Sequence, residues 1–202
     1  MVNYDIIAPF YDRLKRLVFG SQLDRAESYY LDRIGPNAKV LILGGGSGSN
    51  LNLIDQEANI TFVELSQVMI KKARTHRTYN VRFINSDFLQ FENGDYYDWI
   101  ICPFFLDVFA EEDLDRVIKR VSSIASSQAS IIVTDFQSKK IWHSIFSFLM
   151  YVFFKLVTNM KPLQLLNFHK YLINNFLRTK EESFFMSGFI FSRIYSIEGN
   201  HD

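Results

Sequence analysis

The sequence predicts an α/β fold in which a mostly parallel sheet is covered by helices on both faces. Three observations carry this expectation. The run Val40-Leu41-Ile42-Leu43 is apolar throughout, as a strand buried on both faces must be, and it leads directly into Gly44-Gly45-Gly46-Ser47-Gly48. A second apolar run, Ile60-Thr61-Phe62-Val63, ends in an acid, Glu64, sixteen residues after Gly48. Short apolar runs then alternate with amphipathic stretches as far as residue 135, the pattern of strand-helix-strand units with right-handed crossovers.

Taken in order, residues 3–34 read mostly as helix. Ile6, Ile7, Phe10, Leu14, Leu17 and Val18 recur at three- and four-residue steps, and Gly35-Pro36 marks the stop. The alternation gives a strand at 39–43, a helix at about 49–57, a strand at 60–64 and a helix at 67–76, followed by strands at 81–85 and 97–102, a helix at 111–125 and a strand at 130–135. From 139 to 177 the pattern turns helical and unusually aromatic, with Pro162 expected to divide it into two helices. The last segment, 182–197, alternates loosely on either side of Gly188, which fits two closing strands joined by a tight turn. No repeat, charge block or linker divides the chain. One domain over 1–202 is expected, with an N-terminal helical cap at 1–36, a core at 37–136, a helical lid at 139–177 and closing strands at 180–198.

Composition narrows the function. Lys plus Arg equals Asp plus Glu at 22 each, so no global basic field recruits nucleic acid. Cys102 is the single cysteine, which suits a reducing compartment and argues against a Cys-rich metal site. The N-terminus lacks the basic, apolar and small-residue order of a secretory signal, and a cytoplasmic protein is expected. Between Ile141 and Val157 the chain reads IWHSIFSFLMYVFFKLV. His143, Ser144, Ser147 and Lys155 interrupt it, leaving it short of the roughly 20 apolar residues that a spanning helix needs. Ile145, Phe148, Leu149, Val152 and Leu156 can share one face, with Phe146, Phe153 and Phe154 off its centre. A second apolar face has to be covered by a ligand, a second copy in a homodimer or the surface of a membrane, unless it is buried within the domain.

The glycines stand at Gly-x-Gly-x-Gly rather than at the Gly-x-Gly-x-x-Gly of the dinucleotide fingerprint. With this spacing and the acid at Glu64, the chain resembles the class I S-adenosylmethionine-dependent methyltransferases. The resemblance continues through VELSQVMIKKA (63–73), VRFINSDFLQF (81–91) and YDWIICPFFLDVF (97–109), four motifs in the family's order over roughly 38–136. The leading YDIIAPFYDRL (4–14) is similar to the N-terminal segment of the quinone-biosynthesis and phospholipid-type branches. The resemblance implies a doubly wound Rossmann-like methyltransferase fold, with a seven-stranded, mostly parallel sheet whose last strand is antiparallel. In one departure, the acid usually found two residues before the first glycine is replaced by Ile42.

The family pattern implies S-adenosylmethionine as cofactor. Gly44, Gly46 and Gly48 would let the backbone approach it, with the N-terminus of the following helix nearby; the alternative is a plain strand-to-helix turn. Glu64 would accept hydrogen bonds from both ribose hydroxyls, Leu65 would pack on one adenine face, Asp87 would accept from the adenine amino group, and Phe88 would present its backbone amide. The corresponding bland roles are a helix-terminal charge for Glu64 and a turn cap for Asp87. Cys102 joins the cofactor candidates from its place at the end of strand four, with buried packing as the alternative. In the loop that follows, one proline and three apolar residues stand where amino-methylating DNA enzymes carry a polar residue and Pro-Pro, which disfavours DNA-base methylation.

In-line methyl transfer rests on positioning and desolvation and needs no nucleophilic side chain. Candidate proton acceptors are Asp107, Asp135, His143 and His169, with Tyr4 and Tyr11 able to orient an acceptor. No close His/Cys/Asp/Glu cluster supports a metal. The leading reading is a methyltransferase for a small, apolar or lipid-like acceptor. The rival is a non-catalytic domain of the same fold, to which Ile42 points; a nicotinamide-dependent oxidoreductase fits the glycine spacing poorly.

Overall fold

A computed structural model describes residues 19–92, 94–137, 171–173 and 177–197 of the chain. Seven strands form one sheet: β1 (Lys39–Leu43), β2 (Asn59–Glu64), β3 (Val81–Asn85), β4 (Tyr97–Pro103), β5 (Ala125–Phe136), β6 (Leu177–Phe185) and β7 (Ile190–Ile197). Their spatial order is β3-β2-β1-β4-β5-β7-β6. The pairs β1–β2, β2–β3, β1–β4 and β4–β5 are parallel, and β7 runs antiparallel to both β5 and β6. The architecture is the mostly parallel α/β sheet that the sequence predicts.

Burial explains the pattern of each central strand. Val40, Leu41, Ile42 and Leu43 are all buried because β1 lies at the middle of the sheet with helices or turns on both faces. Alternate residues serve opposite layers. Leu41, Leu43, Ile100, Cys102, Ile131 and Val133 face the layer that includes the helix α3 (Glu111–Ser123), whose Leu114, Val117, Ile118 and Val121 recur at helical spacing. Val40, Ile42, Ile101 and Ile132 face the other layer, with Leu31, Ile54 and Ala73. That layer holds the helices α1 (Gln22–Ser28) and α2 (Gln67–His76). The Ser66 hydroxyl caps α2 by accepting the Met69 N–H at 3.2 Å.

The segment after the glycines departs from expectation. Instead of a helix over 49–57 there is one 3₁₀ turn, Leu51–Leu53. Asn50, Asn52 and Asp55 compete with helical hydrogen bonding; Asp55 accepts the Glu57 N–H on its own side chain at 2.8 Å. The carbonyls that a helix would have used converge on Arg77, a buried side chain. Its guanidinium donates to the carbonyls of Leu51, Ile54, Asp55, Gln56 and Ala58 at 2.9–3.3 Å, and Nε donates to Tyr79. One cation thus satisfies the backbone of a buried irregular segment.

Smaller differences concern boundaries. β5 begins at Ala125, where the helix was expected to end, and α3 stops at Ser123. The closing strands meet in the turn at Met186–Gly188, where Gly188 has φ +88°. Of the expected N-terminal helix, α1 and a 3₁₀ turn at Leu31–Arg33 lie in the described part. Its earlier residues, with Tyr4 and Tyr11, fall outside the described residues, as do Pro162, His143, His169 and nearly all of the expected lid. Among the described residues no helix is long and apolar enough to cross a membrane, and no group of three or more His, Cys, Asp or Glu is placed to hold a metal ion.

Candidate active site

Strand order places a crevice at the carboxyl ends of β3, β2, β1 and β4, where the connections diverge to opposite sides of β1. A cavity of about 340 Å³ occupies it. Gly44, Gly46, Gly48, Glu64, Leu65, Asp87 and Phe88 all line this cavity, although they come from three separate strand ends.

The glycine loop has a steric logic. Gly44, Gly46 and Gly48 have φ of +66°, +56° and +68°, the left-handed region that side chains rarely adopt. Gly44 N–H still donates to Val63 at 2.9 Å, so the loop leaves the sheet only after this last bond. A Cβ on Gly45 would stand 2.4 Å from the Phe62 ring and 2.9 Å from Ile42 Cγ2. A Cβ on Gly46 would meet nothing within 4 Å. The loop therefore rests on Ile42 and Phe62 and turns a bare backbone toward the cavity at Gly46. Position 42, where an acid would approach the loop, is an apolar support that is only 6 % exposed.

Glu64 supplies a carboxylate to the loop from the neighbouring strand. Its Oε2 accepts the Gly46 N–H at 3.1 Å and its Oε1 accepts the Ser66 N–H at 2.9 Å. These two bonds fix the side chain with both oxygens oriented. A carboxylate offers about four acceptor positions, and two are named here. Asn85, on β3, donates to the carbonyls of Glu64 and Leu65 at 3.0 and 2.7 Å, holding the two strand ends together.

Asp87 caps the short turn after β3, its Oδ1 accepting the Leu89 N–H at 2.9 Å. Phe88 is buried and packs edge-on against Phe105, with ring centroids 5.8 Å apart. Leu65 is 41 % exposed at the cavity rim. After β4, Pro103, Phe104, Phe105, Val108 and Phe109 form an apolar wall.

Cys102 is corrected by the structure. It is absent from the cavity wall and sits in the α3-side core, 1 % exposed, because its place in the strand alternation points it away from the crevice. Burial, and then the charge of Asp135, pushes its thiol far up, so it stays protonated. The helix expected after Gly48 is likewise replaced by the 3₁₀ turn, so no α-helix N-terminus follows the glycines.

Asp107 and Asp135 are brought together, although twenty-eight residues separate them. Asp135, the penultimate residue of β5, is fully buried and accepts three backbone amides, from Leu106, Asp107 and Phe136. Burial raises the Asp107 carboxyl to about 7. Burial and then the neighbouring Asp107 charge raise that of Asp135 well above the usual carboxylate range. Asp107 belongs to the loop of the apolar wall but does not itself line the cavity.

Glu27, on α1, also lines the cavity; sequence reading had passed over it because it lies in a segment without motifs. Its carboxylate accepts the Asn50 side-chain amide at 2.9 Å. Together with Glu64 and Asp87 it makes three acids among the described residues of the wall, which include no lysine, arginine or histidine.

A family model described as "Methyltransferase domain" matches residues 40–128. The chain is similar in structure to the mitomycin 7-O-methyltransferase, with a TM-score of 0.68 and 15 % identity over 93 % of this chain and 57 % of that one. This chain thus spans just over half of that protein's length. It is also similar to the magnesium protoporphyrin IX methyltransferase of Synechocystis PCC 6803 with bound SAH, with a TM-score of 0.65 and 20 % identity over 92 % and 85 % of the two chains. A third similar structure is the 1,6-didemethyltoxoflavin-N1-methyltransferase of Burkholderia thailandensis with bound 1,6-didemethyltoxoflavin and S-adenosylhomocysteine, with a TM-score of 0.67 and 12 % identity over 95 % and 84 %. At these identities the likeness is one of fold. A search of curated protein sequences finds no match.

Proposed function

We propose that this chain is a class I S-adenosylmethionine-dependent methyltransferase acting on a small molecule. The observation that carries the reading is the convergence of the glycine loop, Glu64 and Asp87 on one cavity at the sheet's switch point. The family match over residues 40–128 and the cofactor product bound in two of the similar structures support it. The cavity also suits this cofactor chemically. Among the described residues the wall carries three acids and no basic side chain, which favours a ligand with excess positive charge, and the open space over Gly46 allows close backbone approach.

Bound here, S-adenosylmethionine would supply an electrophilic methyl group on a sulfonium sulfur. Glu64, held by Gly46 and Ser66, would accept from the ribose hydroxyls. Asp87 would accept from the adenine amine beside the Phe88 amide, and Leu65 would cover one face of the base. The wall of Phe104, Phe105, Val108 and Phe109 excludes water and holds an apolar or lipid-like acceptor in line for transfer, in the manner of the quinone-biosynthesis and phospholipid-type branches. The Asp107–Asp135 pair stands behind this wall, outside the cavity lining, and anchors the wall rather than meeting the substrate. A cytoplasmic setting, with peripheral membrane contact or homodimerisation, belongs to the same proposal.

One observation favours a second reading, a non-catalytic domain of the same fold: Ile42 leaves the support of the glycine loop uncharged. Calorimetric titration with S-adenosylmethionine and S-adenosylhomocysteine tests the proposal. Saturable binding of both is expected, and failure of both to bind rejects the enzyme reading.

A further inference from the structure

The three acids of the cavity wall do not stand in equivalent places. Asp87 follows β3, Glu64 ends β2, and the glycine loop follows β1, so they lie in series across the sheet. Under the function proposed above, on which this inference rests, Asp87 and Glu64 face the adenine and the ribose, the parts of the ligand that carry no charge. The amino-acid tail, with its α-ammonium, continues toward the glycine loop and β4. There β1 offers no acid, since Ile42 and Phe62 fill the space beneath Gly45. Glu27 remains, and it comes from outside the sheet.

We infer that Glu27 is the positioning residue that binds the α-ammonium of the cofactor, a carboxylate lent by α1 to a loop whose own strand lacks one. Asn50, two residues past Gly48, donates its side-chain amide to Glu27 and so ties the carboxylate to the loop. Fixing the side chain before the ligand arrives lowers the entropic cost of the ion pair. A charge-assisted bond between an ammonium and a carboxylate discriminates strongly against a ligand that lacks the ammonium.

The test is calorimetric titration of the full chain with three probes. These are S-adenosylhomocysteine, its desamino analogue with hydrogen in place of the α-ammonium, and 5′-methylthioadenosine, which lacks the whole tail. The native chain is expected to bind S-adenosylhomocysteine at least about tenfold more tightly than the desamino analogue. Glu27→Gln keeps an oxygen for Asn50 but removes the charge. It should weaken S-adenosylhomocysteine about tenfold, abolish that preference and leave 5′-methylthioadenosine within about twofold. Glu64→Ala, which acts on the shared ribose, should weaken all three probes together. Equal losses for S-adenosylhomocysteine and 5′-methylthioadenosine in Glu27→Gln, or no loss for either, overturn the assignment. If thermal melting shows that Glu27→Gln does not fold, Glu27→Asp retains the charge and should retain the preference for the ammonium, whereas its loss there, or equal native affinities for the first two probes, also overturns it. Native protein that binds none of the probes rejects the proposed function itself, a result separable from the failure of Glu27 alone.

Discussion

The backbone N–H of Asp107 donates to the Asp135 carboxylate at 3.3 Å, joining the loop after β4 to the end of β5. Leu106 donates to the same oxygen at 3.2 Å. The apolar wall of the cavity is therefore anchored to a buried acid, and the acid is crowded by the Asp107 side chain itself. Asp107 Oδ1 finds no hydrogen-bond partner among the described residues.

This pair predicts the pH dependence of stability. Asp107 has a folded value of about 7, above the ordinary 3.8, so between these two limits the folded chain holds a proton that the unfolded chain releases. Its contribution therefore falls as pH rises through that window and levels off above it. Denaturant unfolding of native protein and Asp107→Asn across pH 4–8 should show the native profile declining more steeply, the variant being relatively more stable at the alkaline end. Parallel profiles would refute the coupling.

Glu64→Ala removes both acceptors proposed for the ribose and also the partner of Gly46 N–H. A loss of about 1.5–3 kcal/mol in cofactor binding is expected, ten- to a hundredfold in Kd by titration. Unchanged affinity in a folded variant rules the placement out.

Ile42 is packed beneath the glycine loop, so restoring an acid there places an unpaired carboxylate among apolar atoms. Ile42→Asp should lower the melting temperature, with a cost of about 2 kcal/mol or more, rather than tighten cofactor binding. A variant with native Tm and improved affinity contradicts this.

Gly45→Ala tests the same contact from above. Its Cβ would stand 2.4 Å from the Phe62 ring, closer than van der Waals contact. Destabilisation of about 1–3 kcal/mol in urea unfolding is expected. Gly46→Ala meets no atom within 4 Å but places a side chain at φ +56°, so a backbone cost of about 1–2 kcal/mol is expected together with weaker ligand binding.

Arg77→Met keeps most of the buried volume and removes the guanidinium donors to five carbonyls of residues 51–58, of which Leu51, Asp55 and Gln56 keep a second donor in Ile54 N–H, Ala58 N–H and the Asn80 side-chain amide. A loss of about 3 kcal/mol should appear in equilibrium unfolding, because five carbonyls each lose a charge-assisted donor at once. Arg77→Lys, with a single compact ammonium, should recover only part of it. Native stability in Arg77→Met would show that water replaces the guanidinium without cost.

The sequence by itself determined the sheet and the place of the cavity. Val40–Leu43 reads as a buried central strand because four successive apolar side chains need cover on both faces, and the glycines after it read as a turn because they adopt the left-handed φ values found there without steric cost. Glu64, Leu65, Asp87 and Phe88 were legible as cavity residues from their positions at strand ends. Tertiary structure decided what depends on residues distant in the chain. The turn at 51–53 replaced a helix because Arg77, more than twenty residues on, satisfies its carbonyls. Cys102 left the candidate site through the strand alternation that points it into the core, and Glu27 entered through the hydrogen bond from Asn50 that joins α1 to the segment after the glycines. Asp107 and Asp135 acquired their raised values only when the fold buried two acids side by side. Periodicity and turn chemistry are local and can be read from neighbouring residues, whereas burial, long-range hydrogen bonding and carboxylate coupling exist only once the folded chain brings distant groups into contact.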